Sequence, residues 1–296
     1  MSGFMSTSTA LTVCKADLSK FDIDKLRQHA FSDTINADGC RSGWVGLGDM
    51  VDNEDFVLAL ASGNYAGFSW RVDAKKPVGA AVKLKLAEAI KAEIAECGKI
   101  TGKRKKELKT RITEEQTAKA DFTPTVTDCI ADLGNGRFYI GSASPKVMEA
   151  IIVAVKNTFG IDLHPVFPEG DMQSLFASLV HEGAKRCGDF AVATVGSANL
   201  ASPDGAEQKV QVAVQNYEAG ASVALADGLN IKKLQVVATP SDDVERQLSF
   251  TIDPLLSASG LKLPKPEKDV GDDATFIINA DTCSQVADVI ECLAKG

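Results

Sequence analysis

The order of apolar and polar positions along the chain alternates between the two-residue repeat of a strand and the longer repeat of a helix. Short apolar or alternating runs predict strands at 10–13, 55–61, 66–72, 126–132, 137–141, 189–195, 222–225, 230–238 and 247–252. Helical spacing predicts helices at 24–31, 82–97, 103–119, 145–159, 171–181, 207–218 and 281–295. Short turns join neighbouring strand runs, so the pattern predicts an α+β fold with antiparallel sheets and packed helices.

One region, residues 77–121, is predicted to be a protruding helical hairpin with thin apolar stripes. Pro77 suits a first helical turn, Gly98 is placed to end the first helix, and Thr101 is placed to cap the second. This pattern predicts an N-terminal α+β region (1–76), the hairpin (77–121), a central α+β region (122–200) and a C-terminal α+β region (201–296). The glycine-rich stretch 39–48 around Trp44 is interpreted as a turn, and 264–273 as a charged loop.

The hairpin also carries the clearest charge asymmetry. The chain has 32 basic and 40 acidic residues, a net charge of −8. Residues 83–119 contain eleven basic and six acidic side chains, a local charge of +5 that leaves −13 on the rest. Phosphate contact is one interpretation, because Lys and Arg bind nucleic acid by releasing counterions. A solvated charged helix with pairs such as Glu107 and Arg111 is the other.

Sequence signatures of common enzyme and metal sites are missing from the chain. The histidines are His29, His164 and His181, and none has a second histidine at zinc-site spacing. There is no P-loop, no Gly-x-Ser-x-Gly and no dinucleotide-binding glycine pattern. We therefore expect no catalytic residue, no cofactor and no metal, and we interpret the acidic clusters at 52–55, 242–243 and 272–273 as solvated loops.

The seven cysteines are scattered, without a Cys-x-x-Cys pair. No segment resembles a signal peptide, and no apolar run is long enough to span a bilayer. These features indicate a cytoplasmic protein with no membrane partner.

Several segments follow one another in the order found in a known family. They are Ala30-Phe31 with Gly43-Trp44-Val45, Lys76-Pro77-Val78, the run 93–109 that includes Lys103-Arg104-Lys105-Lys106, Ala120-Asp121-Phe122, the run 228–234, and 246–250. Together they resemble RdgC, the recombination-associated protein family of bacteria. The sequence departs from the family pattern after Val45, where Gly46-Leu47 replace prolines, and before Phe122, so it resembles a divergent member.

The resemblance implies a horseshoe-shaped subunit that forms a ring-shaped homodimer. The ring would encircle double-stranded DNA without sequence preference, restrain RecA-dependent recombination and associate with the nucleoid. Expected DNA-binding residues are Lys76, Lys99, Lys103, Arg104, Lys105, Lys106, Lys109, Arg111, Lys232 and Lys233. Expected dimer contacts are Phe122, Leu229 and Asn230, although Phe122 could instead be a core residue. Two other functions stay open, a scaffold whose basic hairpin docks an acidic partner and a metal-dependent nuclease.

Overall fold

The computed structural model describes residues 3–54, 56, 64–182, 184–201, 230–243, 245–265 and 270–295. Its strands are β1 (Ser8–Lys15), β2 (Arg41–Gly46), β3 (Tyr65–Lys75), β4 (Phe122–Asp132), β5 (Arg137–Ile140), β6 (His164–Pro165), β7 (Ala184–Cys187), β8 (Phe190–Ala201), β9 (Asn230–Pro240), β10 (Leu248–Ile252) and β11 (Ala258–Lys262). Its helices are α1 (Asp24–Gln28), α2 (Gly79–Cys97), α3 (Gly102–Lys119), α4 (Pro145–Phe159), α5 (Met172–Glu182) and α6 (Asp272–Ala294), with a 3-10 turn at Leu18–Lys20. The predicted α+β class is confirmed. The predicted strand at 55–61, apart from residue 56, and the predicted elements at 207–218 and 222–225 lie outside the described residues.

The strands form one open, mostly antiparallel sheet in the order β2-β3-β4-β5-β1-β11-β10-β9-β8-β7, with β6 paired to β1. β1 lies in the middle and pairs with different partners along its length. Its first half pairs with β11, for example Ser8 with Lys262, and its second half pairs with β5, for example Thr12 with Ile140. A register shift between Thr9 and Leu11, as at a β-bulge, lies within the half that pairs with β11, just before the change of partner at Thr12.

Two hydrophobic clusters cover opposite faces of this sheet. Successive side chains of a strand point to opposite faces, and the clusters follow this rule. In β5, Tyr139 belongs to the cluster with α5 and α6, whereas Phe138 and Ile140 belong to the cluster with α4. In β4, Ile130 belongs to the first cluster and Cys129 to the second. The central strands are therefore buried on both faces.

The chain divides into two compact units. The larger comprises Met1–Ala30, Trp44–Trp70 and Thr127–Gly296, and the smaller comprises Phe31–Gly43 and Arg71–Val126. The smaller unit contains α2, α3 and the chain segments that lead into and out of them. The four-part division based on the sequence, with boundaries after residues 76, 121 and 200, stays a prediction.

The predicted glycine-rich turn at 39–48 is wrong, because its centre is the strand β2. The Trp44 side chain is fully buried, and its Nε1–H donates to Thr158 Oγ1 at 2.8 Å. Only the glycines that flank the strand take left-handed backbone angles, Gly39 with φ 79° and Gly48 with φ 78°. The glycine spacing therefore marked the two ends of a strand rather than one continuous turn.

Two predicted helix boundaries are also wrong. α1 ends at Gln28, three residues before the predicted end, and α6 begins at Asp272, nine residues before the predicted start. The first half of α6 buries polar side chains such as Thr275 and Asn279 beside the apolar Phe276, and these polar positions interrupt the apolar repeat. Asn279 is 1 % exposed, and its Nδ2–H donates to the Phe4 carbonyl at 2.7 Å.

Candidate nucleic-acid interface

The connection between α2 and α3 forms as its sequence predicts, whereas Pro77 lies before the first turn of α2 and not in it, because the helix begins at Gly79. Gly98 follows α2 with φ 75°, and its N–H donates to the Ile94 carbonyl at 2.8 Å. Thr101 precedes α3, and its hydroxyl oxygen accepts from the Arg104 N–H at 3.2 Å. A left-handed glycine and a threonine cap satisfy backbone groups that a helix end leaves unpaired. The connection between the two helices is therefore set by local sequence.

Packing within the hairpin involves few side chains. Val82 is the buried residue among the nineteen of α2, and Leu108 and Ile112 are the buried residues among the eighteen of α3. Two large apolar side chains of α2 are exposed, Leu84 to 62 % and Ile94 to 43 %. Most of the hairpin surface is thus available for charged side chains.

One flank of α3 is occupied by ion pairs. Arg104 Nε lies 2.7 Å from Glu93 Oε1 of α2, and its Nη1 lies 3.3 Å from Glu107 Oε2. The hydrogen bond to Glu93 is the main cause that raises the pKa of the Arg104 guanidinium. Seven residues further along the same flank, Arg111 pairs with Glu115 at 3.6 Å. The pair suggested from the sequence, Glu107 with Arg111, is absent among the described ion pairs, because each has another partner.

The lysines of α3 are free of such pairs. Lys103, Lys105, Lys106 and Lys109 are exposed, and no carboxylate of the described residues lies within 4 Å of their ammonium groups. At 100° per residue, Lys105, Lys106 and Lys109 project from the flank opposite Arg104 and Arg111. The structure therefore divides the predicted basic residues into a paired arginine flank and an unpaired lysine flank.

The remaining predicted DNA-binding residues are more scattered. Lys76 is exposed and donates from Nζ to Thr125 Oγ1 at 3.1 Å, and Lys99 is exposed in the connection between α2 and α3. Lys232 and Lys233 are exposed neighbours on β9 of the larger unit. The structure thus groups eight of the ten predicted residues in the smaller unit and places two in the larger.

Phe122 opens β4 and is partly buried under cations of its own chain. The Arg41 guanidinium lies 4.2 Å from the ring centroid, and Lys75 Nζ lies 5.4 Å from it. Arg41 in turn pairs with Asp33 at 2.7 Å, and Lys75 donates to the Ala118 carbonyl at the end of α3. Phe122 therefore helps to anchor the hairpin base within the subunit, and its role as a dimer contact stays a prediction.

A third cation–aromatic contact in the smaller unit, between Arg71 and Phe31, does not follow from the sequence pattern. Arg71 lies 3.9 Å from the centroid of the Phe31 ring and makes two hydrogen bonds to Asp73, at 2.8 and 2.7 Å. The bond to Asp73 raises the pKa of the Arg71 guanidinium. Residues two apart in a strand share a face, so the Arg71–Asp73 pair was readable from the sequence. The contact with Phe31 depends on distant chain segments and was not.

The sequence model of a protein family matches residues 12–238 of the chain and is described as "Putative exonuclease, RdgC". The matched range covers most of the chain and includes the hairpin, Phe122 and β9. The chain belongs to the RdgC family. Membership suggests a recombination-associated nucleoid protein. No curated protein matches the chain.

This RdgC family member shows neither a metal-binding group nor a membrane-spanning helix among its described residues. In the part of the chain that the structure describes, no three His, Cys, Asp or Glu side chains are grouped to hold a metal ion. No helix among the described residues is long and apolar enough to cross a membrane. Of the predicted dimer contacts besides Phe122, Asn230 opens β9 and is partly exposed, whereas Leu229 lies outside the described residues.

Proposed function

We propose that this protein binds double-stranded DNA without sequence preference, encircles it as a homodimeric ring and restrains RecA-dependent recombination at the nucleoid. The family membership supports a role in recombination. The observation that carries the proposal is the unpaired lysine flank of α3. Each of its ammonium groups is free to neutralise a phosphate, because none is already matched by a carboxylate of the described residues.

The absence of sequence preference follows from the chemistry of the lysine flank. Lysines contact phosphates as point charges and carry no information about base edges. The charge of −13 outside residues 83–119 repels DNA from most of the remaining surface. Binding is therefore concentrated at the hairpin, as it would be if the hairpin faced the interior of a ring.

Ring closure would use two contacts between subunits, one near Phe122 and one near Leu229 and Asn230. We propose no catalytic activity for this chain. The description of the family names an exonuclease, so nuclease activity is the alternative to test. Incubation of linear and nicked DNA with the protein and Mg²⁺ tests it directly. Shortened strands would contradict the proposal.

The central experiment neutralises the unpaired lysines. We expect the triple variant Lys105→Gln, Lys106→Gln and Lys109→Gln to weaken binding to unrelated duplexes to a similar extent. The slope of log K against log salt should become shallower by about 2 to 3, because each phosphate contact contributes about 0.9. The measurement is fluorescence anisotropy with two duplexes of different sequence over a salt series.

The matched control removes three exposed lysines elsewhere, Lys20→Gln, Lys146→Gln and Lys265→Gln. It should keep the salt slope of the unmodified protein. Absence of duplex binding by the unmodified protein, or an unchanged slope in the hairpin variant, would contradict the proposal and favour the docking of an acidic protein partner.

A further inference from the structure

Arg104 differs from its basic neighbours in connecting the two helices of the hairpin. Of the ion pairs among the described residues, the one between Arg104 and Glu93 is the only one that joins α2 to α3. Its Nε–Oε1 distance is 2.7 Å, and the Glu93 side chain is 22 % exposed. The second carboxylate on Arg104, Glu107, comes from α3 itself. The guanidinium thus has two carboxylate partners, one on each helix.

The position of this link within the hairpin is informative. The buried apolar side chains are Val82, near the start of α2, and Leu108 and Ile112, beyond the first turn of α3. The part of the hairpin nearest the Gly98–Thr101 connection has no buried apolar side chain among the described residues. An ion pair on an exposed surface usually contributes little to stability. Near the connection, however, few apolar contacts hold the two helices together, so the ion pair is a larger share of what joins them. The alignment of the two helices in this part therefore depends on Arg104.

We propose that Arg104 is a positioning residue that holds the start of α3 against α2, and that it does not itself contact DNA. Its effect reaches DNA through Lys105, Lys106 and Lys109, which follow it on the opposite flank of the same helix. When the start of α3 is held in one orientation relative to α2, the three ammonium groups face the same direction from the hairpin. They can then contact successive phosphates of one duplex at the same time. The inference rests on the proposed function, and it reassigns Arg104 among the predicted DNA-binding residues.

A charge exchange between positions 93 and 104 tests the inference. All proteins carry Glu107→Gln, so that no carboxylate one turn away repels the introduced one. In this background, Arg104→Glu should lower duplex affinity roughly tenfold. Adding Glu93→Arg should restore affinity to within about threefold, because the pair forms again with its charges reversed. A guanidinium that contacts phosphate directly could not be replaced in this way.

The matched control uses Lys106, which has no carboxylate partner among the described residues. The combination of Glu93→Arg with Lys106→Glu has the same net charge as the exchanged pair. We expect it to stay about tenfold weaker than the Glu107→Gln parent, because no pair is rebuilt. Equal recovery in both combinations would overturn the inference, since net charge alone would then explain the result.

Hydrogen exchange of the backbone amides in α2 and α3 separates this inference from the proposed function. Arg104→Glu should accelerate exchange near the Gly98–Thr101 connection, and the exchanged pair should reverse this without any DNA present. Glutamate is itself favourable in the first turn of a helix, so Arg104→Glu should not unfold the start of α3 by its helix preference. Faster amide exchange in this variant therefore reports the lost contact with α2. If no duplex binds while exchange behaves as expected, the proposed function fails and the positioning role of Arg104 stands. Unchanged exchange in Arg104→Glu would overturn the positioning role itself.

Discussion

The helix α6, with 23 residues, and the hairpin helices α2 and α3, with 19 and 18, bury their side chains to opposite extents. Twelve of the 23 residues of α6 are buried, whereas Val82 is the buried residue of α2 and only Leu108 and Ile112 are buried in α3. Burial of apolar area is the main source of stability, so α6 stabilises the larger unit. The hairpin buries little and leaves its surface to charged groups. Stability of the larger unit thus depends on α6, whereas the proposed DNA binding depends on α2 and α3.

The largest expected effect tests the role of α6. Phe276 is fully buried, and a Cβ added at Gly67 would lie 2.6 Å from its ring, so the strand backbone packs directly on it. Phe276→Ala should lower the free energy of unfolding of the larger unit by about 3–5 kcal/mol. Urea denaturation followed by circular dichroism measures this loss. The control on the same helix is Ile278→Ala, 41 % exposed, which should change stability by no more than about 0.5 kcal/mol. Similar losses in both variants would contradict the assignment of α6 to the core.

A smaller effect is expected in the hairpin, where backbone conformation matters more than packing. Gly98 has φ 75°, and an added Cβ would meet no atom within 4 Å. Gly98→Ala should therefore cost about 1 kcal/mol through the backbone alone. Gly102, in the first turn of α3, also has open space around it but no positive φ, so Gly102→Ala should stabilise the helix by up to about 1 kcal/mol. Hydrogen exchange in α2 and α3 measures both changes. If both variants changed the stability of the hairpin in the same direction, the backbone angle φ would not be the cause of the difference.

The smallest effect distinguishes the partly buried, desolvated carboxylate of Asp128 from an exposed carboxylate within the larger unit. Burial raises the pKa of Asp128, against the lowering effect of hydrogen bonds from Ser69 and the Phe4 N–H. A carboxyl whose pKa is higher in the folded state stabilises fully below its ordinary pKa of about 4, and that stabilisation is lost as the pH rises through the raised pKa. Asp128→Asn should therefore gain stability relative to the unmodified protein as the pH rises above 4.

The control for Asp128 is Asp17, whose pKa is lowered by hydrogen bonds from the Ser19 side chain and backbone. Its stabilisation is present above the ordinary carboxyl pKa and is lost as the pH falls through the lowered one. Asp17→Asn should therefore lose stability relative to the unmodified protein as the pH rises. Urea midpoints between pH 3 and 7 measure both differences, and slopes of equal sign would contradict the contrast.

The parts of the fold that were predictable are those decided by neighbours in sequence. The glycine stop at Gly98, the cap at Thr101 and the start of α4 at Pro145 all depend on backbone groups within a few residues. The buried pair Leu108 and Ile112 followed from helical spacing. By contrast, β2 and the start of α6 do not follow from local sequence, because Trp44 and Asn279 are buried by segments far away in the chain.

The amino-acid sequence alone predicts a basic helical hairpin within an α+β fold, because helix periodicity, caps and charge counts are local properties. Which charges of the hairpin are unpaired depends on tertiary packing. Arg104 finds Glu93 eleven residues away across the hairpin, and Phe122 lies under Arg41 from another segment of the smaller unit. Such contacts depend on how helices and strands pack, and a count of charges does not contain that information. The difference between the paired arginines and the unpaired lysines therefore belongs to the fold.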